Sequence, residues 1–315
     1  FLTVFILFLF KFSVAQVTYP GGQLPADTPA IFAPGILSDG LANRDFTISP
    51  DGNEIYFTLQ QQGFLSSTIL QVVKVKGKWG KPQVAPFSGK YRDLEASLSA
   101  DGQTIYFASD RPLSNGLKKK DFDIWKVTKL QNGQWGEPAN LGPVVNTANN
   151  EFYPSVAKNG NLYFTSEAAN GKGKEDIVVC TYSKQGYSTP VSLPEAVNSA
   201  KYEFNAFIDP DEQFILFTSF GRDDDIGGGD LYISHKDKNG NWLPAKHLPA
   251  PVNTTVIDYC PYVTYDKKHL IFTSSRAGNF FGDGKTKTYE MLQGLLYSAG
   301  NGLDDLYWIN FNKDW

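Results

Sequence analysis

Five segments of the chain repeat one sequence pattern, and this repetition constrains the fold more than any other feature. Each copy has a short strand-like segment of alternating residue polarity, a turn, and a second strand-like segment that ends in Phe-Thr or a close variant. The copies cover residues 45–59, 95–109, 153–166, 205–219 and 260–274. The first turn residues, from Asp51 to Asp266, are 50, 58, 52 and 55 residues apart. A period of this size is typical of a fold built from repeated supersecondary units.

Each copy is followed by a third strand-like segment, and most are followed by a short fourth. The third segments are residues 68–75, 123–130, 176–183, 230–237 and 305–312, and the fourth are 79–87, 135–143, 188–196 and 242–250. Four antiparallel strands per unit at this period predict an all-β, five-bladed β-propeller. The last unit lacks a fourth segment before the chain ends at Trp315, so we expect residues near 30–37 to complete it and close the ring.

The turns of the first three copies contain residue pairs that favour tight hairpins. Asp51-Gly52, Asp101-Gly102 and Asn159-Gly160 suit turns in which both central residues have positive φ. Asp211-Glu212 and Asp266-Lys267 are weaker versions. The hairpin prediction therefore holds for all five copies, with a different turn type expected in the last two.

The N-terminal segment indicates export. Residues 1–10 are almost wholly apolar but too short to span a bilayer, and Ser13 and Ala15 are small residues placed for cleavage before Gln16. We therefore predict a signal peptide (1–15), an N-terminal extension (16–28) and the propeller (29–315). A buried strand is the alternative for the first segment. Export predicts a periplasmic or secreted protein that does not span the membrane once the signal is removed.

Charge and cysteine content restrict the partners. The formal net charge is −4, and the only basic tract is Lys118–Lys120, so nucleic acid is not an expected partner. We expect a monomer. Cys180 and Cys260 are the only cysteines and lie in different repeats. Two separate buried thiols are the preferred interpretation, and a disulfide between them is the alternative.

The repeat resembles the TolB-type, or WD-like, β-propeller repeat of bacterial envelope proteins. The resemblance rests on the pattern S-P-D-G-x-x-[IL]-Y-F-[TA]-S, then D-[ILF]-[WY], then W-G-x-P-x-x-L-G-x-x-V-N-T, and the best copy runs from Asp123 to Ser166. It implies a periplasmic or surface propeller that binds a protein or glycan of the cell envelope. A role in colicin import is not implied, since TolB itself has six blades and an additional domain.

Aligning the first strands on their turns predicts where charged groups meet. Eight residues before the turn lie Asn43, Asp93, Glu151, Glu203 and Asp258, and six before it lie Asp45, Glu95, Tyr153, Asn205 and Cys260. Because strands have a period of two, both rows are expected to point the same way, so that six carboxylates converge near one channel mouth.

Three arginines follow the second strands on the same face: Arg111, Arg222 and Arg276. One interpretation is structural: each guanidinium pairs with a carboxylate of the adjacent blade. The other is a binding site for a polar ligand, made of these arginines and the six acids.

Catalysis is a further hypothesis for the same acids. Five-bladed propellers also include glycosidases that use carboxylates at the channel mouth, and Asp45, Glu95 and Glu151 are the candidates here. The acids follow the repeat, however, whereas catalytic positions should break it. The favoured function is therefore a non-enzymatic binding or scaffold protein, and a glycoside hydrolase is the alternative.

Two loops remain as weaker candidates. Asp223, Asp224 and Asp225 lie in an acidic, glycine-rich loop that could hold Ca²⁺, although the spacing is not that of an EF-hand, and we expect no cofactor. Residues 277–303 form an insertion in the last unit, in which residues 289–297 suit a short helix. Phe280, Phe281 and Tyr289 either cover the channel mouth or pack over the blade.

Overall fold

The computed structural model describes residues 17–22, 24–113, 121–167, 171–278 and 286–315. These residues form five antiparallel four-stranded sheets. The first strands of successive sheets contact one another in order, and that of the fifth contacts that of the first. The predicted five-bladed β-propeller is therefore confirmed. The signal peptide predicted at residues 1–15 lies outside the described part of the chain.

The strand bounds follow the repeats closely. Blade 1 contains Asn43–Ile48, Glu54–Gln60, Ser67–Val75 and Gln83–Val84; blade 2 contains Asp93–Leu98, Thr104–Ser109, Asp123–Thr128 and Ala139–Asn140; blade 3 contains Glu151–Val156, Leu162–Ser166, Asp176–Cys180 and Val191–Ser192; blade 4 contains Tyr202–Ile208, Phe214–Phe220, Asp230–His235 and Lys246–His247; blade 5 contains Asp258–Val263, His269–Ser274, Asp305–Asn310 and Ala30–Ile31.

Five small elements lie outside this scheme. Lys78–Trp79 pairs with the end of the third strand of blade 1, and Tyr182–Ser183 pairs with Gly186–Tyr187. A 3₁₀ turn spans Gln62–Phe64 and an α-helix spans Tyr289–Leu296. The helix confirms the prediction for the insertion. No helix among the described residues is long and apolar enough to cross a membrane.

The ring is closed by the N-terminal strand. Ala30 lies opposite Trp308 and Ile31 opposite Tyr307, in antiparallel register, and the Phe32 amide donates to the Leu306 carbonyl at 2.7 Å. The predicted closure is therefore confirmed. It pairs the edge of the last blade with a strand from the other end of the chain.

The hairpin turns differ from the tight form predicted. Residues 49–53 connect the first two strands of blade 1, and only the second residue of each turn pair has positive φ, as in Gly52 at 69° and Gly102 at 67°. The Asp51 carboxylate accepts a hydrogen bond from the Asn53 amide at 3.1 Å and so caps the turn. The Asp51 backbone does not adopt the left-handed conformation. Glu212 and Lys267 take the left-handed conformation although they are not glycine.

The Val-Asn-Thr motif has a structural role at the blade junctions. The Asn198 side chain accepts from the Ile177 amide at 3.0 Å and donates to the Ile177 carbonyl at 2.8 Å. Asn146 and Asn253 make the same two bonds with Ile124 and Leu231. The amide side chain therefore satisfies buried backbone groups at the start of the third strands of blades 2, 3 and 4.

Candidate functional site

Each first strand carries a β-bulge at the same repeat position. The registers shift within residues 44–47, 94–97, 152–155, 204–207 and 259–262. The residues six before the turn, which we call the bulge row, all have left-handed backbones: Asp45 (φ 59°), Glu95 (63°), Tyr153 (48°), Asn205 (49°) and Cys260 (52°). A bulge breaks the strand period of two, so the rows eight and six before the turn need not share a direction.

The bulge row contributes to a buried polar network around one arginine. Arg44 Nε lies 2.9 Å from Asp45 Oδ1, and Arg44 Nη2 lies 2.6 Å from Glu95 Oε1. Asn205 Nδ2 donates to Glu95 Oε1 at 3.1 Å, and Cys260 Sγ donates to Asp45 Oδ1 at 3.0 Å. This channel network, made of Arg44, Asp45, Glu95, Asn205 and Cys260, connects blades 1, 2, 4 and 5.

Burial dominates the electrostatics of the channel network. Desolvation raises the pKa of Glu95 to about 7, against the opposing effect of Arg44. Desolvation likewise raises the pKa of the Cys260 thiol well above its ordinary value. The Glu95 carboxylate also accepts the Tyr153 amide at 2.7 Å, so both of its oxygens are bonded. Asp45 and Glu95 are thus held together, but both are committed to internal partners.

The acids eight residues before the hairpin turn lie in a separate environment. Each accepts hydrogen bonds from the connection that precedes its own strand. Glu203 accepts the Ser199 amide at 2.8 Å and the Ser199 hydroxyl at 2.6 Å. Asp258 is bonded in the same way by Thr254, and Glu151 accepts the amide and hydroxyl of Thr147. Asp93 accepts from the hydroxyls of Ser88 and Ser109. These four carboxylates are fully buried.

The three predicted arginines pair with acids of their own blade rather than of the adjacent blade. The Nη2 atoms of Arg111, Arg222 and Arg276 lie 2.6, 2.9 and 2.6 Å from Asp93, Glu203 and Asp258. Each guanidinium also donates to a backbone carbonyl of the segment arriving from the preceding blade, namely that of Phe87, Val197 or Val252. The arginines therefore do connect neighbouring blades, but the connection is a hydrogen bond to a backbone carbonyl and not an ion pair with a carboxylate of the adjacent blade.

The residues seven before the turn, between the two predicted rows, line an open pocket. This mouth row consists of Arg44, Leu94, Phe152, Phe204 and Tyr259, one residue from each blade. The mouth pocket has a volume of about 240 Å³, and Phe64, Tyr202 and Phe220 add further aromatic walls. It opens on the face that carries the loops between second and third strands, since Phe64, Glu175 and Gly228 come from those loops. Glu95 and Asn205 of the channel network lie at its floor.

Two further carboxyl groups lie at this opening. Glu175 lines the mouth pocket, and burial, with a smaller effect of Glu167, raises its pKa to about 7. Within the described ranges, the Glu175 carboxyl has no ion pair or hydrogen bond. Asp304 lines an adjoining cavity of about 280 Å³ that shares Phe64, Ile257 and Tyr259 with the mouth pocket. Burial also raises the pKa of Asp304.

The weaker candidates are placed as follows. The Tyr232 hydroxyl lies 2.7 Å from both Asp224 and Asp225, and Asp223 is exposed. In the described part of the chain, no group of three or more His, Cys, Asp or Glu is arranged to hold a metal ion. Tyr289 is 72% exposed and does not line the mouth pocket. Phe280 and Phe281 lie outside the described residues.

The mouth row was not predicted, because a strand period of two places it on the opposite side of the strand from the two polar rows. The signal was present in the same alignment: Leu94, Phe152, Phe204 and Tyr259 are apolar or aromatic, and Arg44 replaces them in blade 1. Glu175 carries no repeat signal, because it lies in a loop of one blade. Both cysteines are free and buried, so the alternative of a disulfide is not realised.

Comparison of the sequence with protein-family models and with curated proteins gives no match. Many solved structures are similar in fold. TolB from Acinetobacter baumannii is 12% identical with a TM-score of 0.49, and the match covers 87% of this chain but only 55% of TolB. An α-L-arabinofuranosidase from Lactobacillus brevis is 13% identical over 88% of this chain and 93% of its own, with a TM-score of 0.51.

A structure described as a glycoside hydrolase is 9% identical over 91% of each chain, with a TM-score of 0.55. At these identities the likeness shows the propeller fold alone. One fold can carry many unrelated functions, so function has to be argued from the site.

Proposed function

We propose that this chain is a non-enzymatic binding protein of the cell envelope, periplasmic or secreted, that engages a protein segment or glycan at the mouth pocket as a monomer. One observation carries the proposal: an aromatic pocket receives one residue from each blade, while the acids that would perform chemistry are buried and bonded internally. Concave, mostly apolar pockets with a few polar groups are the usual form of a binding site. Export rests on the apolar segment at residues 1–10.

The channel network favours binding over catalysis. A glycosidase needs two carboxyl groups that reach the scissile bond from opposite sides. Asp45 and Glu95 instead share Arg44, and the two side chains are 2% and 3% exposed. Freeing either carboxylate would leave buried charges unpaired, at a large cost in stability. These groups therefore form a rigid floor to the mouth pocket.

A glycoside hydrolase is the second candidate, and one observation favours it. Glu95 and Glu175 line the same pocket, and burial raises the pKa of each to about 7, a value suited to a general acid. Glu175 would be the accessible acid in this case. Its partner carboxylate would have to be Glu95, which is already bonded to Arg44.

The test is a binding screen followed by a turnover assay. Residues 16–315 are titrated with envelope glycans and with peptides from envelope extracts, and the same mixtures are analysed for cleaved product. We expect saturable binding that Phe204→Ala weakens about tenfold, with no cleavage, because this change removes a wall of the pocket. Cleavage that is lost in Glu175→Gln would replace the binding proposal with the hydrolase. Binding unaffected by Phe204→Ala would place the site elsewhere.

A further inference from the structure

The walls of the mouth pocket are unusually rich in aromatic rings. Six of its lining residues are aromatic: Phe64, Phe152, Tyr202, Phe204, Phe220 and Tyr259. The centroids of Tyr202 and Phe220 lie 6.0 Å apart with the rings inclined at 45°, so their faces are not sealed against each other by stacking. Aromatic faces carry negative potential and attract cations placed within about 6 Å of the centroid.

The charged groups at the pocket have an excess of negative charge. Arg44 is the one cationic side chain among the described residues that line it. Its guanidinium is already bonded to Asp45 and Glu95, so its charge is balanced inside the channel network. Among the described residues, the Glu175 carboxyl in the pocket has no cation paired with it, whereas Asp304 in the adjoining cavity shares the field of Arg44 and is hydrogen-bonded by Tyr259. A ligand of positive charge would therefore be favoured at this opening over an anion.

Two of these six rings already contact cations inside the protein. The Arg44 guanidinium carbon lies 5.0 Å from the centroid of Tyr259, and the Lys174 ammonium lies 5.0 Å from that of Tyr202. Lys174 does not line the pocket. The Phe152 and Phe204 rings lie at the pocket without an intramolecular cation above them in the described structure. The Phe64 and Phe220 rings of the pocket are likewise without a cation in the described structure; of these four rings, Phe152 and Phe204 belong to the mouth row, and together with the Glu175 carboxylate they are the groups available to a ligand.

We propose that the mouth pocket binds an alkylammonium group, held between the faces of Phe152 and Phe204 and the carboxylate of Glu175. The inference rests on the proposed function, since it names the chemistry that the same pocket recognises. A volume of about 240 Å³ is slightly below that of pockets for drug-sized ligands, so the group is compact. A free amine and an ammonium group at the end of a larger molecule present the same chemistry.

The experiment compares two probes of equal shape and different charge. Choline and its neutral isostere 3,3-dimethylbutan-1-ol are titrated into residues 16–315 by calorimetry at pH 8.5, where the Glu175 carboxyl, whose pKa burial raises to about 7, is ionised. We expect choline to bind about tenfold more tightly than the isostere, because only the cation interacts with the ring faces and the carboxylate. This comparison uses the unaltered protein and does not depend on any variant folding.

Three variants locate the interaction. Phe204→Leu keeps an apolar wall but removes the ring face, and Glu175→Gln keeps the shape but removes the charge; each should weaken choline binding about fivefold and leave the isostere unchanged. Glu137→Gln, an exposed acid elsewhere in blade 2, is the matched control and should have no effect. A phosphocholine vesicle and a trimethyllysine peptide then distinguish a lipid from a protein source of the ammonium group.

The outcomes separate this inference from the proposed function. Equal affinity for choline and the isostere would overturn the ammonium assignment. Binding of a neutral glycan that Phe204→Leu weakens, without binding of choline, would overturn it while leaving the binding function in place. If no probe, glycan or peptide responds to Phe204→Leu, both the inference and the proposed function fail.

Discussion

The Nη2 atom of Arg44 lies 2.6 Å from the Oε1 atom of Glu95, and this ion pair joins blade 1 to blade 2 inside the ring. Arg44 belongs to the row that lines the mouth pocket, and Glu95 belongs to the bulge row beneath it. The pair therefore connects the floor of the proposed binding site to the buried channel network. A change in either residue is expected to affect both stability and the pocket.

Arg44→Met should destabilise the protein strongly. The substitution leaves Asp45 and Glu95 buried without their cation, a situation that costs about 3–5 kcal/mol. The free energy of unfolding is measured by denaturant titration. Arg92→Met is the control, because the Arg92 side chain is 37% exposed and its pair with Asp110 should contribute less than about 1 kcal/mol. Equal losses in the two variants would contradict a special role for the channel network.

Stability should fall as the pH rises towards 7. In the unfolded chain Glu95 releases its proton near its ordinary pKa of 4.5, whereas burial raises its pKa to about 7 in the folded protein. The folded state therefore binds more protons between these values, and the free energy of unfolding decreases with rising pH in this window. Glu95→Gln should flatten the dependence measured by thermal unfolding from pH 4.5 to 7.5. Glu137→Gln should keep the pH dependence of the unaltered protein. An unchanged slope in Glu95→Gln would mean that other titrating groups cause this dependence.

Asn198→Ala should loosen the junction between blades 3 and 4. Asn198 is fully buried and holds both backbone groups of Ile177, so its loss leaves a buried amide and carbonyl without partners. We expect a loss of about 2–4 kcal/mol in the free energy of unfolding, since each such group costs about 1–3 kcal/mol. Asn239→Ala, at an exposed turn, should change stability by less than about 0.5 kcal/mol. A small effect of Asn198→Ala would mean that water replaces the side chain.

Both thiols should be unreactive in the native protein. Cys180 and Cys260 are free and fully buried, and burial raises the pKa of Cys180 to about 12. Ellman's reagent should detect no thiol before denaturation and two after it, without any reductant. Detection of fewer than two thiols in the denatured, unreduced protein would indicate a disulfide.

In the loop before the third strand of blade 4, Gly227→Ala should lower the free energy of unfolding more than Gly228→Ala. A Cβ atom on Gly227 would collide with the backbone carbonyl oxygens of Thr254 and Val256, whereas one on Gly228 would approach the Ile257 nitrogen only to 3.7 Å. We expect Gly227→Ala to cost about 1–3 kcal/mol in denaturant unfolding. A matching loss in Gly228→Ala would point to loop entropy rather than to the collision.

The architecture could be predicted from the sequence. The period of the repeat and the Asp-Gly and Asn-Gly turns predicted five four-stranded blades, and residues near 30–37 were expected to close the ring. These features are local or periodic, so they can be read without knowing which strands lie side by side. The pairing of Ala30 with Trp308 agrees with that prediction.

The candidate site could not be predicted from the sequence, because it depends on contacts between blades. A strand period of two placed Asp93 and Glu95 together, but the bulge at Glu95 separates their surroundings: Asp93 binds Arg111, and Glu95 binds Arg44 from the neighbouring blade. The left-handed backbone of a bulge has no sequence signature when Asp, Glu, Tyr, Asn and Cys all adopt it. Which row faces the opening depends on five bulged strands meeting around one axis, and this is a property of the assembled ring.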